Sequence, residues 1–265
     1  MRIFIIGAGH MGAWLAEELC LEHDLAIYDI DTSKLTYLSR AKKLLELHEV
    51  DSFKPQLVIN TVSLRYTRKA FDEILPFLPE DCLLSDIASV KTGFYEFYRG
   101  IGKRFVSTHP MFGPTFADLR DLHDEHAIII KESDAEGKAF FRSFYSKLHI
   151  KVHEYTFEEH DKAMAYSLSI PYASSLVFAT CMKEKEAPGT TFRKHLEIAQ
   201  GLLSKDDHLV ADIMFNQYSI QHIEEINAQM AHLLYIIKKR DYEEMHRFLK
   251  RLRNNVALFL DRVNR

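Results

Sequence analysis

Four stretches of the chain hold residues that do chemistry at spacings that matter. Gly7-Ala8-Gly9-His10-Met11-Gly12 fits GxGxxG. In that pattern the first glycine makes a tight turn, the second lets backbone approach a pyrophosphate, and the third lets a helix close on a strand. The helix N-terminus adds unpaired N–H groups and the positive end of its dipole. Asp29 stands close to the ~20-residue spacing of an acid that accepts hydrogen bonds from an adenosine ribose. Ile30 and Asp31 follow it, so no adjacent Arg or Lys is placed to receive a 2′-phosphate, and the expected cofactor is NAD rather than NADP. Asp29 also suits a helix N-terminus, which is the bland alternative. The other three stretches are polar segments that close strands: Asn60-Thr61-Val62-Ser63, Asp86-Ile87-Ala88-Ser89-Val90-Lys91, and Ser107-Thr108-His109-Pro110 with Met111-Phe112-Gly113-Pro114. Ligands of open α/β sheets lie beyond the carboxyl ends of the strands. Thr61, Val62 and Ser63 are therefore expected to line the cofactor crevice. His109, on a turn stiffened by two prolines, suits proton transfer because an unperturbed imidazole titrates near ~6.5. Taken alone, a histidine such as His109 is more often a surface-loop residue than a base.

These residues need a scaffold. Strand patterns occur at Arg2–Ile6, Leu25–Tyr28, Leu57–Val62, Cys82–Asp86, Phe105–Ser107, Ala127–Ile130 and Ile150–His153, with helices expected to begin near His10, Thr32, Tyr66, Val90 and Asp134. Continuous apolar runs such as Leu57-Val58-Ile59 are what strands buried on both faces of a parallel sheet look like. The pattern changes after Tyr155. Thr156-x-x-Glu159 is a capping-box signature, and only helical periodicity follows. Ile220, Ile223, Ile226, Met230, Leu233 and Ile237 recur at spacings of three and four, as do Tyr242, Met245, Leu249, Leu252, Val256 and Phe259. The expected architecture is an α/β Rossmann domain with a mostly parallel sheet over residues 1–153, followed by an all-α domain over 154–265. Pro171 interrupts one helical pattern and frees a carbonyl a turn earlier, near Ser167.

Composition narrows the functional classes. In 265 residues, 34 Lys and Arg face 38 Asp and Glu, for a net charge of -4. That balance gives no basic footprint for nucleic acid and no polybasic patch for a membrane. Cys20, Cys82 and Cys181 are far apart and form no CxxC pair, as expected of a reducing, cytoplasmic compartment. His123-x-x-His126 has no accompanying cysteines or distant ligand pair, so no metal is expected.

The ordered set of GAGHMG, DIASVK, HPMFGP and Glu159-His160-Asp161 resembles the prephenate dehydrogenase family of tyrosine biosynthesis, from Met1 to about residue 215. The resemblance implies a Rossmann domain and a helical domain that mediates homodimerisation. It also implies NAD- or NADP-dependent oxidative decarboxylation of prephenate to 4-hydroxyphenylpyruvate. It makes His109 the catalytic base, Ser89 its neighbour in catalysis, Arg193 the grip on a substrate carboxylate, and Lys91 a second positive charge. Two positions depart from the pattern. Tyr172 stands where many members have a second histidine, twelve residues after His160, and Thr115 stands where many have an acid. Both bear on how substrate is admitted and discriminated. Arogenate, the amino counterpart of prephenate, stays open as the substrate. A non-catalytic NAD-binding regulator would need a basic recognition helix, and no helix-turn-helix signal is present. A β-hydroxyacid dehydrogenase would bring a lysine base from its helical domain, whereas the candidate base here is a histidine at the sheet.

Overall fold

The computed structural model describes residues 1–113, 121–183 and 188–263; Pro114 and Thr115 lie outside the described residues. Eight strands form one sheet: β1 (Arg2–Ile6), β2 (Asp24–Tyr28), β3 (Lys42–Lys43), β4 (Leu57–Asn60), β5 (Leu83–Asp86), β6 (Phe105–Pro110), β7 (His126–Ile130) and β8 (Lys151–Tyr155). Their order is β3-β2-β1-β4-β5-β6-β7-β8, and every neighbouring pair is parallel except β6 with β7. The helices of this part are α1 (His10–Leu19), α2 (Val50–Phe53), α3 (Leu64–Ile74), α4 (Phe94–Ile101) and α5 (Ala135–Lys147).

Strand alternation sorts the core into two layers. Ile3 and Ile5 face one way and pack with Trp14 and Leu15 of α1 and Phe141 and Tyr145 of α5. Phe4 and Ile6 face the other way and pack with Phe71 of α3, Phe94 and Tyr98 of α4, and Phe157. Both faces are covered, which explains the continuous apolar runs. Trp14 meets Phe112 edge-on, with ring centroids 5.3 Å apart, and lies 5.9 Å from Phe144.

Beyond β8, Thr156 caps α6 (Phe157–Met164). Its hydroxyl accepts the Glu159 N–H at 3.1 Å, and the Glu159 carboxylate accepts the Thr156 N–H at 2.8 Å, completing the expected capping box. A π-helical turn over Ala165–Ser169 follows, and α7 (Ile170–Thr180) starts with Pro171 in its first turn. The wider turn accommodates the proline's missing N–H at the place where the sequence marked an interruption. Then come α8 (Thr190–Leu203), α9 (Asp207–Met214), α10 (Ser219–Lys239) and α11 (Tyr242–Val263). Among the described residues no helix is long and apolar enough to cross a membrane.

Three sequence expectations need correction. Thr32–Leu35 is a single 3₁₀ turn capped by Asp31, not a longer helix. The helix expected near Val90 begins at Phe94, after Gly93 takes a left-handed conformation (φ 73°). β6 runs on to Pro110, so His109 is a strand residue paired with Ile128 and not part of a turn. The change from strands to helices falls at Tyr155, yet the chain divides into compact units Met1–Ser219 and Ile220–Arg265. Helices α6 and α9 are tied to the sheet layer by polar contacts, described next. In the second unit α10 and α11 pair through His232 and Phe248, with ring centroids 5.6 Å apart.

Candidate active site

The glycine turn joins β1 to α1. Gly7 sits at φ 102°, a conformation that costs other residues dearly. A Cβ on Gly12 would collide with Gly7 O and the Thr61 hydroxyl, so α1 closes on the turn only because residue 12 has no side chain. A Cβ on Gly9, by contrast, would meet nothing within 4 Å. This is open space above a helix N-terminus that no side chain caps. His10, Met11 and Gly12 form its first turn, and the space fits the pyrophosphate of a dinucleotide.

Asp29 is buried at the end of β2 and organises the same turn. Its Oδ2 accepts the Ala8 N–H at 2.7 Å, and its Oδ1 accepts the Asp31 N–H at 2.8 Å. Lys34 Nζ lies 3.4 Å from Asp29 Oδ1. The sequence reading excluded a cation here because none is adjacent in the chain; the 3₁₀ turn brings one back from five residues on. Thr61 also does more than line a crevice. Its hydroxyl donates to Gly7 O at 2.7 Å and braces the turn. Val62 N–H donates to the Asn60 side chain at 3.2 Å, and exposed Ser63 starts α3.

His109 lies at the carboxyl end of β6, almost fully buried. Its Nδ1 is 3.0 Å from Nε2 of His160, and His160 Nδ1 is 3.0 Å from Asp161 Oδ1. Asp161 Oδ1 also accepts the Lys91 N–H at 2.9 Å, and Oδ2 accepts the Thr92 hydroxyl at 2.7 Å. Asn216 donates to the Asp161 carbonyl at 2.8 Å. Burial pushes His109 well below the usual histidine range, with His160 and Lys91 adding to the effect. Burial lowers His160 as well, against the opposing pull of Asp161. Burial alone would raise Asp161, but bonds from His160, Thr92 and the Lys91 N–H bring it below the usual carboxylate range. The arrangement is a neutral imidazole pair backed by a carboxylate.

Lys91 does not face this pair as a free cation. Its ammonium is fully buried, 2.5 Å from Asp86 Oδ1 and 2.8 Å from Thr108 O. Asp86 Oδ2 accepts the Tyr98 hydroxyl at 2.7 Å. Lys91 is thus an internal strut, and its carried-over role as a second charge for substrate does not fit this geometry. Arg68 donates to Thr92 O at 3.0 Å, so the Ser89 segment is held by both Arg68 and Asp161. Ser89 is half-buried in that segment. Tyr172 is half-buried on α7, and its phenol is raised by burial. Arg193 is exposed on α8, where its N–H donates to Gly189 O at 3.1 Å. Arg65 Nη1 lies 2.8 Å from His208 Nε2 and links α3 to α9. His123 stacks on His149 while His126 Nδ1 lies 2.8 Å from His153 Nε2, so those two histidines engage different neighbours.

The motif Glu159-His160-Asp161 by itself assigns His160 and Asp161 no role. A signal for them exists. Phe157, His160, Asp161 and Met164 are the buried residues of α6, at i, i+3, i+4 and i+7. Two polar residues on an apolar stripe demand partners, because burying them unpaired is costly.

Comparison with known proteins bears on what this arrangement serves. Residues 16–149, just over half of the chain, match the family model for the nucleotide-binding domain of prephenate dehydrogenase. A probable arogenate/prephenate dehydrogenase of Methanocaldococcus jannaschii is 26% identical over 214 residues, 74% of this chain and 47% of that protein. The T-protein of Enterobacter agglomerans is 24% identical over 62% of this chain and 45% of its own length. The chain thus spans about half the length of the curated relatives it matches. Among solved structures, prephenate dehydrogenase from Aquifex aeolicus, in complex with hydroxyphenyl propionate and NAD+, superposes with a TM-score of 0.84 at 21% identity, covering 98% of each chain. Synechocystis arogenate dehydrogenase gives 0.76 at 19% identity, covering 98% of this chain and 100% of that one. These two structures share the fold. With the family model covering just over half of the chain, from β2 through β7 and including the strand-end histidine, the chain belongs to the prephenate dehydrogenase family.

Proposed function

We propose that this chain is an NAD-dependent dehydrogenase that oxidatively decarboxylates prephenate to 4-hydroxyphenylpyruvate. The observation that carries the reading is His109: a buried imidazole, lowered by its surroundings, at the strand-end crevice beside a cradle that fits a dinucleotide. A bound nicotinamide would supply the hydride acceptor. The protein's own task is then small. As hydride would leave C4 for that acceptor and CO2 leave C1, neutral His109 takes the C4 hydroxyl proton and returns it to the same oxygen of the aromatic product. Ser89, in a segment held by Asp161 and Arg68, orients His109 or that hydroxyl. Arg193 grips a carboxylate with its planar fork. In this division residues 1–153 hold the nucleotide and the helices over 154–265 supply substrate contacts and the dimer interface.

A second reading concerns the substrate alone. The names of two similar proteins include arogenate, and Tyr172 stands where a histidine is common, so arogenate is the alternative. NADH formation with prephenate and arogenate, measured side by side, decides between them. No turnover of either overturns the proposed activity.

Three expected results follow from the parts. Asp29→Asn should weaken NAD and narrow its advantage over NADP, because the carboxylate repels a 2′-phosphate while Lys34 partly offsets it. Michaelis constants for both cofactors check this, and better use of NADP than NAD by the unaltered enzyme contradicts it. Arg193→Ala should raise the Michaelis constant for prephenate by roughly tenfold to a hundredfold, the worth of a charge-assisted pair at ~1.5–3 kcal/mol. NAD binding should not change. An unaltered constant removes Arg193 from the site and turns attention to Arg65, whose Nη1 lies 2.8 Å from His208 Nε2. Finally, Ile237, Leu249, Leu252, Val256 and Phe259 of α10 and α11 stay exposed. An isologous two-fold pairing of two copies would bury them, and light scattering at micromolar concentration should find a homodimer. A stable monomer contradicts it.

A further inference from the structure

We infer that His160 and Asp161 are positioning residues that hold His109 in a single tautomer, with the hydrogen on Nδ1 and the lone pair on Nε2. The inference rests on the proposed role of His109 as base, and it says why that base faces the right way.

The argument runs from the carboxylate outward. Asp161 accepts two donors of fixed identity, the Lys91 backbone N–H at 2.9 Å and the Thr92 hydroxyl at 2.7 Å. An ionised carboxylate can only accept. His160 Nδ1, 3.0 Å from Asp161 Oδ1, must therefore carry its hydrogen. A neutral imidazole has one N–H, so His160 Nε2 is left as an acceptor. His109 Nδ1 lies 3.0 Å from that acceptor and must be the donor. Its Nε2 is then the lone pair, and no described residue hydrogen-bonds to it. The reverse tautomers would set a lone pair of His160 against the Asp161 carboxylate, both inside the protein, where unmatched polar contacts are most costly. Both rings are buried, and burial favours the neutral forms that the argument requires.

The chain of contacts also works after proton transfer. Once His109 holds a second hydrogen on Nε2, its Nδ1–H still points at His160, and the new positive charge faces a pair ending in a carboxylate. No proton needs to pass on to His160 or Asp161. Asp161 also accepts the Lys91 N–H on the Oδ1 that meets His160 and the Thr92 hydroxyl on Oδ2, so one carboxylate sets both the tautomer of the base and the position of the Ser89 segment.

The test uses the full-length protein labelled with ¹⁵N-histidine. His109→Asn assigns the resonances of that ring. In the unaltered protein at neutral pH, His109 should show a protonated Nδ1 and an unprotonated Nε2. His160→Gln and His160→Leu then separate positioning from packing. A Gln amide presents an acceptor toward His109 and a donor toward Asp161, as the ring does. Leu presents neither. His160→Gln should keep the His109 tautomer and exceed His160→Leu in turnover by about tenfold or more. His160→Leu should lose the Nδ1–H signature, and its turnover should fall by ~10²-fold or more, within the range set by loss of a general base. The Michaelis constant for NAD should hold in both. A protonated Nε2 on His109 in the unaltered protein overturns the inference outright, even if His160→Leu does not fold. Equal turnover of the two variants overturns it as well. A His109→Asn protein with near-normal turnover would instead remove the base while leaving the tautomer result standing.

Discussion

His109→Asn is expected to lower turnover by ~10²–10⁴-fold, the usual worth of a general base, and to leave NAD affinity near its original value. The asparagine amide occupies the place of Nδ1, so it can keep the bond to His160 that the ring makes at 3.0 Å. It has nothing in the place of Nε2. The substitution therefore removes the proton acceptor with little disturbance of the buried network. Gly7, Gly9 and Gly12 lie in the β1–α1 turn and the first turn of α1, and Asp29 follows β2, so the cradle is untouched. Steady-state rates and a cofactor titration measure the two quantities separately. Near-normal turnover would mean that another group takes the proton.

Lys91→Met is expected to act first on stability. The ammonium is fully buried and lies 2.5 Å from Asp86, a residue that is itself inaccessible. Removing one partner of a buried ion pair strands the other charge, at ~3–5 kcal/mol. The Tyr98 hydroxyl and the Ala88 N–H remain on Asp86 but bring no charge. Replacing both ionic partners, as in Asp86→Asn with Lys91→Met, should recover much of that loss, because two neutral groups need no counter-ion. Urea unfolding of the three proteins gives the comparison. If Lys91→Met unfolds at the original midpoint and only its Michaelis constant for prephenate rises, the lysine faces substrate after all.

The parts of this molecule that were legible in its sequence are those whose causes are local. The glycine turn, the Thr156–Glu159 box and the break before Pro171 each depend on residues within a few positions of one another, and each is present. The seven longer strands announce themselves because both faces of the sheet are covered. β3 does not, since Lys42-Lys43 has neither β-branched nor apolar character. The site was legible by residue type but not by orientation. Lys91 turns inward because Asp86 and Thr108 O wait there, and its backbone is fixed by Asp161, seventy residues away in the chain. Lys34 reaches Asp29 only because Asp31 caps a 3₁₀ turn between them. His109 belongs to a strand because β7 runs antiparallel to β6 and extends the pairing to Pro110. No periodicity within either segment encodes that reversal.

Trp14 is the sole tryptophan of the chain. It stands two residues after Gly12, with its indole edge-on to Phe112, three residues past His109. Any long-wavelength ultraviolet emission from this protein therefore originates at one point, between the helix that starts at the glycine turn and the segment that follows His109. Reduced nicotinamide absorbs where indole emits, so a cofactor bound at that turn should quench this single chromophore by energy transfer. A shift of the Phe112 ring changes the colour of the same emission. Occupancy of the cradle and movement beside the base thus have separate optical signatures in the unlabelled protein, read in one cuvette.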